Sequence, residues 1–437
     1  MALGSVLRIT NHLMGDYQKK LAGKVIILLT IVTILSPESG IAQIERRKEQ
    51  FLTEPSYMIL PLPYSIPGIG SGMMFMGLAG NFLDTHLDIY GMGISGDAGG
   101  YIIGLDDMHL IPETLIVKFF YQNLSNAAIQ YYEKRGMATE KDEYSQLELN
   151  KVFGLEGEVL LTLFDRRVEL FAGSYKQEAS ITTIRDSKGV LIIEFSEPYI
   201  SKSESTVMGI RLDFTDDYQD PKKGIRMEAT LQPSPPDKAG VDPDYSVLNK
   251  SLSIYIPIGD AHTWAFNYFT SDTLVSKAGE TDPAAIEAEL NLECDPAEQN
   301  YETCQEAQQE LVDNFIATRK YGNAQGLGGQ YRFRAYPQGR FQGAHTVYFA
   351  MEFRWNFITE VTPFDFWIWK DVSTGIQLAL FHEMGAVEDI KDDLNSSMRT
   401  SSGLGIRMVS GSGYVYRFDV ATGDEGAATT VFFNYPW

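Results

Sequence analysis

Residue types that perform chemistry are sparse in this sequence of 437 residues. It has six histidines and two cysteines, and no histidine pairs with a cysteine or another histidine at a spacing that suits a metal ion. His382 precedes Glu383, but consecutive strand residues face opposite sides, so the two cannot act as a simple pair. The sequence contains neither a phosphate-binding glycine loop nor a serine elbow. We therefore expect no metal, no cofactor and no enzymatic activity, although barrel enzymes without a short motif leave that alternative open.

The most informative stretch runs from Gly326 to Gly343 and is too rich in glycine and arginine to be a mere connector. The residues after it alternate between two faces. One face is apolar and consists of Val347, Phe349, Met351, Phe353, Trp355 and Phe357. The other carries Thr346, Tyr348, Ala350, Glu352, Arg354 and Asn356. Because side chains alternate across a strand, this pattern suits a barrel wall between lipid and a polar lumen.

Similar segments recur from Tyr57 to the last residue and predict an all-β fold, a transmembrane antiparallel β-barrel. Residues 176–205 are interpreted as a long charged connection between strands. The last segment places Val431, Phe433, Tyr435 and Trp437 on one face, which predicts a closing strand. Such a strand must pair with the first, since an open sheet edge is not tolerated in lipid.

The organisation around the barrel follows from composition. Basic residues, the apolar run Val25 to Leu35 and then small residues predict a signal peptide over 1–42, with translation starting at Met1 or at Met14. A short periplasmic tail is expected over 43–56 and the barrel over 57–437. Residues 274–343 are expected to form a long extracellular loop with an acidic helical insert ahead of the glycine and arginine stretch.

Charge and cysteine content limit the partners. The formal net charge of −22 argues against nucleic acid, whose phosphates need lysine and arginine. Cys294 and Cys304 are the two cysteines. In an oxidising compartment they either pair, closing a loop worth about 2–3 kcal/mol, or remain free thiols.

Four features resemble the bacterial surface-antigen superfamily of outer-membrane barrels, which includes the BamA insertase and the two-partner secretion transporters. The first is a hairpin from Gly209 to Gly224 with an aspartate-rich strand end. The second is a loop motif that consists of Gly328, Gly329, Phe333, Arg334, Ala335, Tyr336 and Pro337. The third is the wall motif Phe381 to Gly385, and the fourth is the aromatic carboxy-terminal segment.

The resemblance implies about sixteen strands in the outer membrane of a Gram-negative bacterium, with the loop folded into the lumen. It also implies that Arg334 contacts Glu383, either as a structural pin or as part of a gate. Ala335 stands where the family usually has glycine, so its backbone should avoid a positive φ. Glu383 replaces the commoner aspartate and is a longer carboxylate.

The segment between Gln43 and Tyr57 has no room for the periplasmic docking domains, called POTRA, of the insertase and transporter branches. The resemblance is therefore to the branch that consists of the barrel alone. It implies assistance in inserting or translocating protein or lipid, a gated or plugged channel for small solutes, or a structural surface antigen. The implied partners are outer-membrane lipid and lipopolysaccharide, the barrel-assembly machinery for its own insertion, and a periplasmic partner subunit.

Overall fold

The computed structural model describes residues 55–132, 134–236, 238–259, 261–290, 301–358, 364–366, 369–372, 374–410 and 415–437. The predicted signal peptide and most of the predicted tail lie outside the described residues. So does Cys294, and only the backbone of Cys304 is described. The predicted pairing of the two cysteines therefore stays a prediction.

Nineteen strands form one continuous antiparallel sheet. They are β1 (Ser56–Ile66), β2 (Gly70–Gly80), β3 (Asp88–Gly96), β4 (Gly99–Ile111), β5 (Leu115–Ser125), β6 (Ala127–Tyr131), β7 (Ser145–Leu163), β8 (Val168–Arg185), β9 (Leu191–Asp213), β10 (Gly224–Ser234), β11 (Asp244–Ile258), β12 (His262–Lys277), β13 (His345–Ile358), β14 (Phe364–Phe366), β15 (Trp369–Val372), β16 (Thr374–Glu388), β17 (Arg399–Ser410), β18 (Val415–Gly423) and β19 (Gly426–Phe433).

Seventeen of these form the wall of a closed barrel of sixteen strands, the number that the resemblance implies. Strands β5 and β6 follow one another along β7 and count as one wall strand. Strands β14 and β15 pair with each other in the connection between β13 and β16, which are themselves neighbours in the wall. The wall closes where β19 meets β1. Hairpin strand β15 also pairs with β1, at Tyr57 and Lys370.

The two faces of the wall differ as the alternation predicts. On β13, Glu352 and Arg354 are buried inside the barrel, whereas Trp355 and Phe357 are exposed on the outside. Large apolar side chains are exposed on the outer face of many other strands, including Phe75, Ile103, Leu170, Met208, Leu380 and Leu404. An outer apolar band around a polar interior is the arrangement of barrels that stand in hydrocarbon.

The interpretation of 176–205 as a connection is wrong. Strand β8 continues to Arg185 and β9 begins at Leu191, so these residues form one long hairpin with paired backbones. At 18 and 23 residues, both strands exceed the roughly 9–11 residues that cross a bilayer. The extension carries polar side chains on both faces, which hides it from a test for alternation, but backbone pairing does not require an apolar face.

Two α helices occur among the described residues, in the predicted insert between β12 and β13. They are α1 (Pro283–Leu290) and α2 (Tyr301–Tyr321). The guanidinium of Arg319 near the end of α2 donates to Glu289 of α1 at 2.7 Å. Within the described part of the chain, neither helix is long and apolar enough to cross a membrane. The second helix ends at Tyr321, and the glycine- and arginine-rich stretch begins five residues later at Gly326.

Candidate functional site

The loop between α2 and β13 forms a compact turn of its own inside the barrel. Leu327 and Phe341 exchange two backbone hydrogen bonds of 3.0 Å, which bring the two ends of the turn together. Gly328 and Gly329 have φ angles of 113° and 101°. A Cβ atom on Gly328 would lie 2.1 Å from the carbonyl oxygen of Pro337. Only glycine therefore allows this close approach of the two limbs.

Aromatic side chains fill the inside of the loop. Phe333, Tyr336 and Phe341 are buried, with ring centroids 4.4 Å apart for the first two and 5.1 Å apart for the last two. Among the non-glycine residues of the motif, the positive φ falls on Phe333, at 70°, and not on Ala335. The expectation for Ala335 is met because the residue two positions earlier takes the left-handed conformation.

Arg334 lies at the tip of the loop and is completely buried. Its backbone N–H and its Nε each donate to Glu383 of β16, both at 2.8 Å. Its Nη1 donates to Asp419 of β18 at 3.0 Å and to Glu352 of β13 at 3.2 Å. The guanidinium carbon also lies 3.3 Å from the centroid of the Phe381 ring. The structure thus brings Arg334 and Glu383 together, and adds two carboxylates.

Those two carboxylates connect Arg334 to three further buried arginines. Glu352 accepts from Arg354 at 2.8 Å and from Arg407 at 2.8 and 2.6 Å. Asp419 accepts from Arg417 at 2.7 Å. We call the group the lumen ion network: Arg334, Arg354, Arg407, Arg417, Glu352, Glu383 and Asp419. Four guanidinium groups against three carboxylates leave a formal charge of +1.

Sequence reasoning identified one ion pair of this network and missed the others. The available signal was the polar face of the aromatic strands, since Glu352 and Arg354 both stand on the inner face of β13. That signal shows on which face of the sheet a residue lies, but not which residue of another strand it contacts. Glu352 meets Arg407 across 55 residues of sequence, and this contact depends on the register of strands that only the folded sheet defines.

The loop is also held at its second limb. Arg340 donates to Glu425 at 2.7 Å and to the backbone and side-chain oxygens of Thr139 at 2.8 and 2.7 Å. The N–H of Gln338 donates to the carbonyl of Pro67 in the turn between β1 and β2 at 2.8 Å. The loop therefore contacts both halves of the barrel, although its ion pairs among the described residues are with the carboxy-terminal half.

The seam between the first and last strands is held by few backbone contacts. Among the described residues, β1 and β19 share one paired position, Ser65 with Val431, whereas β1 and β2 pair at eleven positions. Two side-chain bonds add to the seam: the Ser65 hydroxyl donates to the carbonyl of Thr429 at 3.2 Å, and the Tyr416 hydroxyl donates to that of Pro63 at 2.7 Å.

A short overlap and a proline account for this sparse pairing, since only residues 63–66 of β1 lie opposite β19 in the register of Ser65 with Val431. The ladder between β1 and β2 is unbroken across Pro61 and Pro63, which have no N–H to donate. The even-numbered residues of β1 must therefore make the bonds to β2, because alternate residues of a strand direct their backbone groups to opposite neighbours. The prolines therefore face the seam. In the register set by Ser65 and Val431, Pro63 lies opposite Phe433 and gives β19 no N–H, whereas Pro61 lies beyond the end of β19.

The end of β19 lies on the lumen side of β1 and β2. Val431 is paired across the ladder with Phe418, which is exposed on the outer face, and Phe433 lies two residues further on the same strand face. Yet Val431 and Phe433 are both buried, and Phe433 packs in a cluster with Leu62, Tyr64, Met74 and Met76. Those four residues are on the inner face of β1 and β2. The outer face of β19 is therefore covered by the inner face of the first strands.

The predicted closing strand is too long by four residues. Strand β19 ends at Phe433, and Asn434 has a φ of 62°, which turns the chain away from the wall. The Tyr435 hydroxyl bonds with Asp220 and, at 2.9 Å, with Gln377. The guanidinium carbon of Arg354 lies 3.8 Å from the centroid of the Tyr435 ring and 5.5 Å from that of Trp437. Only Val431 and Phe433 are strand residues, and Tyr435 and Trp437 lie inside the barrel.

Among the described residues, no cluster of three or more His, Cys, Asp or Glu side chains is placed to hold a metal ion. His382 bonds to Ser402 at 2.8 Å on the outer face, while Glu383 points inward. The chemistry of the site is therefore that of ion pairing and strand pairing.

No protein-family model matches this chain, and no curated protein matches it. Solved structures do. BamA from Haemophilus ducreyi lacking POTRA domains 1-3 has 12% identity and a TM-score of 0.44 over 88% of this chain and 70% of that one. CdiB from Escherichia coli has 12% identity and a TM-score of 0.47, over 88% and 68%. CdiB from Acinetobacter baumannii has 11% identity and a TM-score of 0.44, over 88% and 60%.

Proposed function

We propose that this chain is an outer-membrane barrel of the BamA-like surface-antigen type that opens laterally between β1 and β19 and assists the insertion or translocation of protein or lipid. The observation that carries the proposal is the seam with its single paired position. Opening it breaks few hydrogen bonds, and it frees the edge of β1 once the pairing of Tyr57 with Lys370 of β15 is also released. A free edge is a template on which the strand of another chain can pair.

The two halves of the barrel contribute differently to such an opening. Strands β13, β16, β17 and β18 are joined to the loop by the lumen ion network and form a fixed half. The inner face of β1 and β2 carries Met58, Leu62, Met74 and Met76 instead, and is held by apolar contact. Apolar contacts are non-directional, and methionine adapts to new neighbours. We infer that β1 and β2 move and that the carboxy-terminal half stays in place.

A disulfide across the seam tests this function. In a background with Cys294→Ser and Cys304→Ser, the variant Ser65→Cys with Val431→Cys joins the one paired position. The readout is the folding of a urea-denatured eight-stranded barrel into proteoliposomes that contain the variant, followed by heat-modifiable gel mobility. We expect the reduced variant to accelerate client folding, the oxidised variant to lose the acceleration, and reductant to restore it.

The matched control is Thr230→Cys with Asn249→Cys in the same background, which joins β10 to β11 within a ladder of eleven pairs. Its oxidation should leave client folding unchanged. Lateral opening is excluded if the fully oxidised seam variant folds clients as fast as the reduced one.

The partners follow from this proposal. The exposed apolar outer face would contact outer-membrane lipid and lipopolysaccharide, and the chain would itself be inserted by the barrel-assembly machinery. A periplasmic partner subunit would present clients in place of docking domains. Co-purification of the chain with periplasmic subunits and with stalled client strands from native membranes tests these assignments.

A plugged channel is the second candidate, and the filled lumen favours it. The loop tip and residues 435–437 occupy the interior together, and both contact the lumen ion network. If the loop is a plug, the parent chain should show no current or only brief openings in planar bilayers. Arg334→Ala should then give large, steady openings. Identical conductance of the variant and the parent chain would leave this candidate without support. A chain that neither conducts nor folds clients would be a structural surface antigen.

A further inference from the structure

A second polar region lies inside the barrel, apart from the lumen ion network. It is a cavity of about 350 Å³ between the loop, residues 434–437 and the inner faces of β9, β10 and β11. Arg332 and Tyr331 line it from the loop, and Trp437 lines it from the segment after β19. The wall contributes serine hydroxyls and charged side chains.

Arg332 is the loop arginine without a carboxylate. Arg334 and Arg340 each form ion pairs, whereas no described carboxylate forms one with Arg332, whose guanidinium carbon lies 3.8 Å from the centroid of the Phe269 ring. Glu228 is the one side-chain carboxylate among the described residues that line the cavity, and Arg211 already binds it at 2.6 Å. Burying a guanidinium without a counter-charge costs free energy, and an anion bound beside it would offset that cost.

The buried side-chain groups that line the cavity without a hydrogen-bond partner are donors. Among the described residues, Arg332 Nε and Trp437 Nε1 are buried without a hydrogen-bond partner, and both groups can only donate. The hydroxyls of Ser251 and Ser253 each accept from the amide of Asn267, at 2.9 and 3.0 Å. Their own protons therefore remain to be donated. A ligand that complements this cavity must accept several hydrogen bonds.

We propose that the cavity binds an oxyanion of the phosphate class, held by the Arg332 guanidinium and the Trp437 indole N–H with the two serine hydroxyls beside them. A guanidinium matches a phosphate better than it matches a spherical halide, because its planar donors address two oxygens at once. The volume exceeds that of a single phosphate, so the phosphate is either free or part of a lipid headgroup. This inference goes beyond the proposed function and does not depend on opening of the seam.

The test uses the purified full-length chain in phosphate-free detergent micelles. Thermal unfolding is followed by heat-modifiable mobility while inorganic phosphate replaces chloride at constant ionic strength, and in a second series with dihexanoyl phosphatidic acid. A saturable rise in the unfolding temperature with both ligands supports a site for free phosphate. A rise with the lipid alone supports a site for the headgroup. The proposal is overturned if neither ligand gives a saturable rise.

Arg332→Gln should weaken the binding at least about tenfold, since it removes the charge-assisted bonds. Trp437→Phe keeps an aromatic ring and removes only the indole donor, so it should weaken binding less. Arg185→Gln, which alters an outer arginine paired with Glu148, is the control and should bind like the parent chain. Without phosphate, Arg332→Gln should unfold at the same temperature as the parent chain or higher, which also shows that it folds. Unchanged affinity in both the Arg332 and Trp437 variants would contradict the assignment.

Discussion

Replacing Arg334 with alanine is expected to lower the free energy of unfolding by about 3–5 kcal/mol, as removal of one partner from a buried ion pair does elsewhere. The substitution leaves Glu383, Glu352 and Asp419 buried without the guanidinium that joins them. It also removes the cation that lies against the Phe381 ring. The measurement is urea-induced unfolding in detergent, followed by loss of the folded band in a gel without heating.

The control for Arg334→Ala is Arg185→Ala. Arg185 pairs with Glu148 at 2.8 Å, but both side chains are about a third exposed, at 35% and 38%. Such a pair contributes about 0–1 kcal/mol, so this variant should unfold like the parent chain. If both variants keep full resistance to heat and urea, the loop is not pinned by Arg334.

Glu352→Gln is expected to destabilise the barrel more than Glu383→Gln. Glu352 accepts from three arginines, Arg334, Arg354 and Arg407. Among the described residues, Glu383 forms an ion pair only with Arg334 and also accepts from the Tyr348 hydroxyl at 2.9 Å. Neutralising Glu352 leaves four guanidinium groups facing two carboxylates. Because an unpaired buried charge costs several kcal/mol, we expect a loss of about 3–5 kcal/mol, in the same unfolding measurement.

Glu204→Gln is the matched control for the two glutamate variants. Glu204 pairs with Lys176 on the exposed extension of β8 and β9, where its side chain is 68% exposed. Its neutralisation should not change the unfolding midpoint. If Glu352→Gln unfolds at the midpoint of this control, the lumen ion network does not hold the loop in place.

The fold could be predicted from the sequence because the alternation on strands such as β13 indicates which side chains face the lumen. The loop motif was accessible because Gly328 and Gly329 must be glycines where two backbones approach closely. Its contact with Glu383 was accessible only through the resemblance to a family. Nothing in the chain itself brings residues 334 and 383 together before the strands have paired.

The other parts of the site depend on information that alternation does not contain. Asp419 reaches Arg334 across 85 residues, through the register of β13, β16, β17 and β18. Alternation continues past Phe433 to Trp437, but the backbone of Asn434 turns left-handed, and this ends the strand. In the sequence, the only sign of the sparse seam is the two prolines of β1. That they face the seam can be deduced only once the unbroken ladder between β1 and β2 is known.

The central claim is that the barrel is weakest between β1 and β19, and amide hydrogen exchange in lipid vesicles tests it most directly. Peptides from 56–66 and 426–433 should contain amides that exchange about tenfold or more faster than those of 168–182, because local opening precedes exchange. The difference should disappear in the oxidised variant with Ser65→Cys and Val431→Cys. Equal protection of the seam strands and of β8 in the unlinked chain would contradict the claim.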